Sequence, residues 1–223
     1  MCRALGARVA PRAPRAARFA RRGPAPRGAV ERVDVALKEW ALVVDALRRG
    51  EQIALARKGG LRDARGTFEA RADAFWLFPT AFHANERWDV PATDAATGAA
   101  TKALDALAVR AATFEVRAED APMALKALSR RSGWPEDLFA RRANWKPDAP
   151  LVILVVRCYE ARPGLTIDAA DDERFGGCKS WVDTDAWVFD ASALRACVSD
   201  EEFEAMSRSL REDLFAIGAT QTS

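Results

Sequence analysis

Arg57-Lys58-Gly59-Gly60 offers the first recognisable chemistry. Two cations at the end of a predicted strand, followed by glycines, can present both their charges and backbone N–H groups to an anion. The alternative is a solvated strand end with a flexible turn. His83, the single histidine, follows Leu77-Phe78-Pro79-Thr80 and would titrate near neutral pH at a loop rim, or else sit satisfied in the structure. Arg157 shares a strand face with Leu151, Ile153, Val155 and Tyr159, so it must be paired. A helix carboxylate such as Glu39 is one partner, and a ligand is the other. Cys178 beside Lys179, after Gly176-Gly177, can serve as a lowered-pKa nucleophile with His83 as its imidazole, or as an ordinary thiol in a tight turn.

Several chemistries are excluded. The chain has neither a Gly-rich loop ending in Gly-Lys-Ser/Thr nor a dinucleotide fingerprint. One histidine and no paired CxxC leave no zinc ribbon, thioredoxin centre or two-imidazole metal site. The acidic run at Asp171-Asp172-Glu173 lacks the alternating ligands of a calcium loop. No metal or cofactor is expected. A phosphodiester hydrolase would need clustered carboxylates. Glu39, Glu69 and Glu115 are available, but no spacing links them.

These side chains need elements to position them. Asp34 is expected to cap a helix over about 35–49, with Leu37, Trp40, Val44 and Leu47 as its stripe. Short strands are expected over 52–58, 75–78 and 113–117, and a helix over 102–112. Helices at 122–131 and 136–142 precede the clearest strand, 151–159. The apolar run of that strand implies burial on both faces. Lys179 to Val182 is expected to form a short last strand. Ser199 and Glu202 make a capping box for a helix whose Phe203, Met206, Leu210, Leu214 and Ile217 form one stripe, ended by Gly218. The mixture, without strict alternation, predicts an α+β fold: a single domain with a small mixed or antiparallel sheet packed with helices and a C-terminal amphipathic helix.

The whole chain has 223 residues and a net charge of +2, but the charge is unevenly divided. Residues 1–30 hold eight arginines and no acid, so the remainder carries 26 basic residues against all 32 acids, a balance of −6. That balance argues against broad affinity for a nucleic-acid backbone. The Arg-, Ala- and Pro-rich start reads as a disordered basic presequence over 1–32, of the organelle transit type. A folded domain over 33–218 and a tail over 219–223 complete the expected organisation. No run approaches the ~18 apolar residues of a membrane span.

Lys38-Glu39-Trp40, Arg57-Lys58-Gly59-Gly60, Leu77-Phe78-Pro79-Thr80 with His83, Trp145-Lys146-Pro147 and Gly176-Gly177-Cys178-Lys179-Ser180-Trp181 come in an order that resembles domain-of-unknown-function family 1802. That family is found in bacteria, including cyanobacteria, and in plastid-bearing eukaryotes. The motifs cover about 36–183. Where the family commonly has Gln after the His, this chain has Ala84. The resemblance implies no activity. It implies a chloroplast setting, with mitochondrion or cytoplasm as alternatives. The functional expectation is a soluble domain that binds an anionic ligand, of phosphate or nucleotide type, in a cleft built from Glu39, Arg57, Lys58, His83, Arg157 and Lys179. The alternatives are a nuclease-like hydrolase, or a non-catalytic RNA-binding or assembly protein. The possible partners are thus an anionic small molecule or nucleic acid, and no membrane.

Overall fold

A computed structural model describes residues 30–59, 67–80, 101–132, 136–168, 172–177, 179–190 and 193–223. Residues 1–29, which include most of the expected presequence, Gly60, His83, the 84–100 segment, Gly133 and Cys178 lie outside the described residues. The elements run β1 (Val30–Trp40), α1 (Ala41–Arg48), β2 (Ala54–Arg57), β3 (Ala74–Thr80), β4 (Thr101–Val116), α2 (Ala121–Ser129), α3 (Glu136–Asn144), β5 (Leu151–Asp168), α4 (Asp172–Phe175), β6 (Trp181–Asp190), β7 (Leu194–Ala196), α5 (Asp200–Ala216) and β8 (Thr220–Gln221).

One mixed sheet takes the order β2-β5-β4-β3-β1-β6, with β7 paired to β5 and β8 to β4. Only β1 and β3 pair in parallel; the other pairings among the described residues are antiparallel. The fold is α+β and a single domain, as the mixed pattern predicts. Alternation along β5 sends successive residues to opposite faces. Val152, Leu154, Val156 and Cys158 join Leu37, Phe75 and Leu77 on one face, covered by Val43, Val44 and Leu47 of α1. Leu151, Ile153 and Val155 join Phe114 on the other, beneath α2 and α5. The residues after β8 also belong to the sheet region, for the Thr113 N–H donates to Ser223 O at 2.8 Å. Gly164 is required where β4 and β5 approach, because a Cβ there would sit 2.3 Å from the Leu104 carbonyl oxygen.

Two expected helices are strands, wholly or in part. Residues up to Trp40 belong to β1, and the helix begins at Ala41. The stripe Leu37, Trp40, Val44, Leu47 straddles this boundary: Leu37 is buried as a strand residue, while Val44 and Leu47 are buried by α1. Residues 102–112 belong to β4. Their alanines favour a helix intrinsically, but β4 lies between β3 and β5, and Ala106, Ala108 and Ala112 are at most 1% exposed there. Close packing overrides propensity. The capping box forms as expected, with Glu202 N–H donating to Ser199 Oγ and Ser199 N–H to Glu202 Oε2.

Candidate functional site

Glu39, the penultimate residue of β1, turns to the same face as Val35 and Leu37 and is 2% exposed. Its carboxylate accepts from the Trp40 N–H at 2.9 Å and from Arg57 Nη1 at 3.1 Å, and Arg142 Nη2 lies 3.4 Å away. Arg57 ends β2, at the far edge of the sheet from β1. It also donates to Lys38 O at 3.1 Å and to Ser180 Oγ at 3.0 Å. The sheet therefore curls until its β2 edge meets the end of β1, and side chains bridge the gap where no strand ladder does. Arg142, on α3, donates to Ala56 O and lies 4.3 Å from the Trp40 ring centroid, a cation–π distance.

Burial alone would push the Glu39 carboxyl up, but the guanidiniums of Arg142 and Arg57 and the Trp40 N–H outweigh it and hold it below the usual glutamate value. Burial pushes the Arg142 guanidinium down, Glu39 opposes this, and Arg57 adds to it. Two half-buried cations share one buried carboxylate, so among the described residues the cluster carries one positive charge in excess.

Lys58 follows directly but serves another element. Its Nζ donates to Ala143 O at 2.9 Å and Lys146 O at 3.3 Å, at the end of α3, and Trp145 Nε1 donates to Gly59 O at 3.2 Å. Gly59 takes φ 83°, a conformation that suits glycine. Burial holds the Lys58 ammonium below the lysine range, with Asp148 opposing. This clamp fixes the helix that carries Arg142. Lys58→Ala is expected to cost about 1.5–3 kcal/mol, as the loss of charge-assisted hydrogen bonds from a buried ammonium does. Urea unfolding measures it, and a change below about 0.5 kcal/mol would show that α3 holds without the clamp.

The segment before β6 closes the other side. Lys38 N–H donates to Ser180 O at 2.9 Å, Lys38 Nζ to Gly177 O at 3.1 Å, and Thr80 Oγ1 to Glu39 O at 3.0 Å. The segments singled out in the sequence thus meet around the end of β1. Of the six expected site residues, Glu39 and Arg57 are in direct contact. Lys58 is adjacent in the chain but turned to α3. Lys179 donates to Arg174 O at 2.9 Å within the segment that holds β1. Arg157 lies apart: it pairs with Asp200 at the start of α5, not with Glu39, and donates to Val198 O at 3.4 Å. His83 lies outside the described residues. Arg142 was not among the six. Its signal is faint: a basic pair, Arg141-Arg142, three residues before Trp145-Lys146-Pro147.

Glu39 and Arg142 stand in the wall of a pocket of about 660 Å³, open mouth included. Val43, Ile53, Leu55, Leu128, Phe139, Met206 and Leu210 make most of its lining, with Gln52, Arg131 and Ser132 as further polar groups. Its floor is the edge strand β2. Ile53 O accepts from Val156 N–H at 2.8 Å, and Leu55 and Arg57 face Leu154 and Val152 in register. Main-chain groups of 53, 55 and 57 therefore turn to β5, and those of Ala54 and Ala56 turn to the pocket side. Ala54 O accepts from Gln52 Nε2 at 2.9 Å. Among the described residues no group of three or more His, Cys, Asp or Glu could hold a metal.

No curated protein matches the chain. Among solved structures it is similar to the crystal structure of ASCH from Zymomonas mobilis, at 12% identity and TM-score 0.37, covering 78% of this chain and 93% of that one. A serine-to-alanine mutant of the same protein gives 12% identity and TM-score 0.38, covering 78% of this chain and 94% of that one. The family described as "Domain of unknown function (DUF1802)" matches residues 36–209, most of the folded region, and the chain belongs to that family.

Proposed function

We propose that this domain binds a small anionic molecule in the pocket beside β2. The observation that carries the reading is the shared carboxylate: Glu39 lies between Arg57 and Arg142, and Arg142 borders a space otherwise walled mainly by apolar side chains. An excess positive charge in such a partly shielded wall attracts an anion, and the apolar lining suits a flat or hydrocarbon body. Arg142 has five N–H donors, and described groups take two of them. The ligand class is a phosphate or carboxylate attached to an apolar or aromatic group, no larger than a nucleotide. A phosphodiester hydrolase is less well supported. Glu39 is committed to two arginines, and Glu69 and Glu115 are exposed.

AMP, phenyl phosphate and adenosine are suitable probes for calorimetric titration of the full chain. The two phosphates are expected to bind, adenosine at least tenfold more weakly than AMP. Arg142→Gln should lower phosphate affinity by about tenfold or more, one charge-assisted contact, and Arg142→Lys should recover part of it. If neither phosphate binds, or adenosine matches AMP, the reading fails. The Arg-rich leader and the family's occurrence in plastid lineages support a chloroplast setting, which import of a full-chain fluorescent fusion tests.

A further inference from the structure

Cys158 lies in β5, and Cys197 directly follows β7, the strand paired to β5. The β5–β7 register pairs Tyr159 with Ala196 and Glu160 with Arg195, so its next step pairs the two cysteines. The Cys197 N–H donates to Cys158 O at 3.0 Å, which makes them a hydrogen-bonded antiparallel pair. Such pairs hold their Cα atoms about 5.5 Å apart, within the range of roughly 4.4–6.8 Å that a disulfide spans. Both side chains belong to the same apolar cluster, and both thiols are free. Cys158 is buried, while Cys197, just past the end of β7, is half-buried.

We infer that Cys158 and Cys197 are a reversible dithiol–disulfide pair, oxidised by hydroperoxides, that staples β7 and the start of α5 to β5. The charged groups around the pair are Arg48, Arg195, Glu160 and Asp105. The hydrogen bond between the thiols holds Cys197 below, and Cys158 above, the ordinary cysteine value; burial adds to the rise at Cys158. Cys197, half-buried where Cys158 is buried, is the thiol a peroxide can reach and is therefore the attacking one. Its sulfur attacks one peroxide oxygen, the O–O bond breaks, and the leaving oxygen takes a proton and departs as water or alcohol. Cys197 is left as a sulfenic acid. The Cys158 sulfur then attacks that sulfur, the S–S bond forms, and the Cys158 proton leaves with the hydroxyl as water. Two electrons pass from the thiols to the peroxide, and a dithiol reductant reverses the step.

The staple reaches the pocket. Ser199 caps α5 directly after Cys197 and Val198, and α5 carries Met206 and Leu210 into the pocket wall. In the test, full-length protein is treated with hydrogen peroxide, trapped with N-ethylmaleimide, digested without reductant and analysed by mass spectrometry. The expected product is a Cys158–Cys197 cross-linked peptide pair, lost on adding dithiothreitol and retained in Cys178→Ser. The oxidised protein should melt roughly 5–10 °C higher than the reduced protein, and Cys197→Ser should show no oxidant-dependent shift. Continued alkylation of both thiols, or a bridge to Cys178 or Cys2 instead, would overturn the pairing. An unchanged melting midpoint in the cross-linked protein would overturn the staple.

Discussion

Replacing Glu39 with glutamine is expected to destabilise the fold by about 3–5 kcal/mol, the usual effect of removing one partner from a buried ion pair. The amide keeps the shape of the carboxyl and can still accept from the Trp40 N–H. It leaves Arg57 and Arg142, whose side chains are 14% and 16% exposed, without a counter-charge. Urea unfolding at neutral pH measures the loss. Adding Arg57→Met to Glu39→Gln should recover part of it, because one of the two stranded cations is then gone. A loss below about 1 kcal/mol would mean that water enters the cluster and screens it. The pH dependence has a definite sign. The folded-state pKa of Glu39 lies below the ordinary value of 4.5, so its contribution is present above 4.5 and fades as pH falls through the lower folded value. Wild type should therefore lose its advantage over Glu39→Gln on acidification below 4.5, and no narrowing of the gap there would count against an ionised Glu39.

Truncation on α5 should be nearly as costly. Leu214 is 0% exposed and packs with Phe114, Leu151 and Ile153, where a Leu→Ala change removes about 2–5 kcal/mol. Phe215, its neighbour, is 54% exposed and touches Phe114 edge-on at 5.5 Å, so Phe215→Ala should cost about 0.5–1.5 kcal/mol. Leu210 borders the solvent-open pocket as well as the core, so water can fill the space that Leu210→Ala leaves, and its cost should fall at the low end of the Leu→Ala range. Thermal and chemical denaturation of the three variants give the order directly. Equal losses for Leu214→Ala and Phe215→Ala would show that the helix is docked by a different face.

Legibility followed how local each cause is. The continuous run of β5, the capping box of α5 and the proline in the first turn of α2 act within a few residues, and each element starts close to where its pattern predicts, although β5 runs past the expected end at Tyr159 to Asp168. β1 and β4 depend on neighbours that arrive from elsewhere in the chain. Leu37 reads as part of a helical stripe until Trp76 to Thr80 of β3 pair with Ala36 to Trp40. The alanines of β4 read as helix until β3 and β5 enclose them. The site divides in the same way. Glu39 and Arg57 stood out as polar residues in motifs of Trp, Pro and Gly, and they do meet. Arg142 carries no such mark, because its role comes from the placement of α3 by Lys58. The pairing of Arg157 with Asp200 instead of Glu39 follows from where α5 begins, which spacing along β5 cannot reveal.

The join between the two ends of the curled sheet also bears on how long the native state lasts. Lys38, Glu39, Arg57, Arg142 and Ser180 come from four separate segments, and the bonds of Arg57 to Ser180 and of Arg142 to Glu39 each span more than 100 residues. Contacts of such separation close the largest loops, so they are expected to form after the folding barrier, which Glu39→Gln tests by speeding unfolding while leaving the folding rate nearly unchanged. Interactions absent from the transition state leave the rate of folding almost unchanged and act on the rate of escape. The arginine clasp is thus a brake on unfolding. It sets the lifetime of the folded chain, and so its exposure to proteases that cut only the opened form.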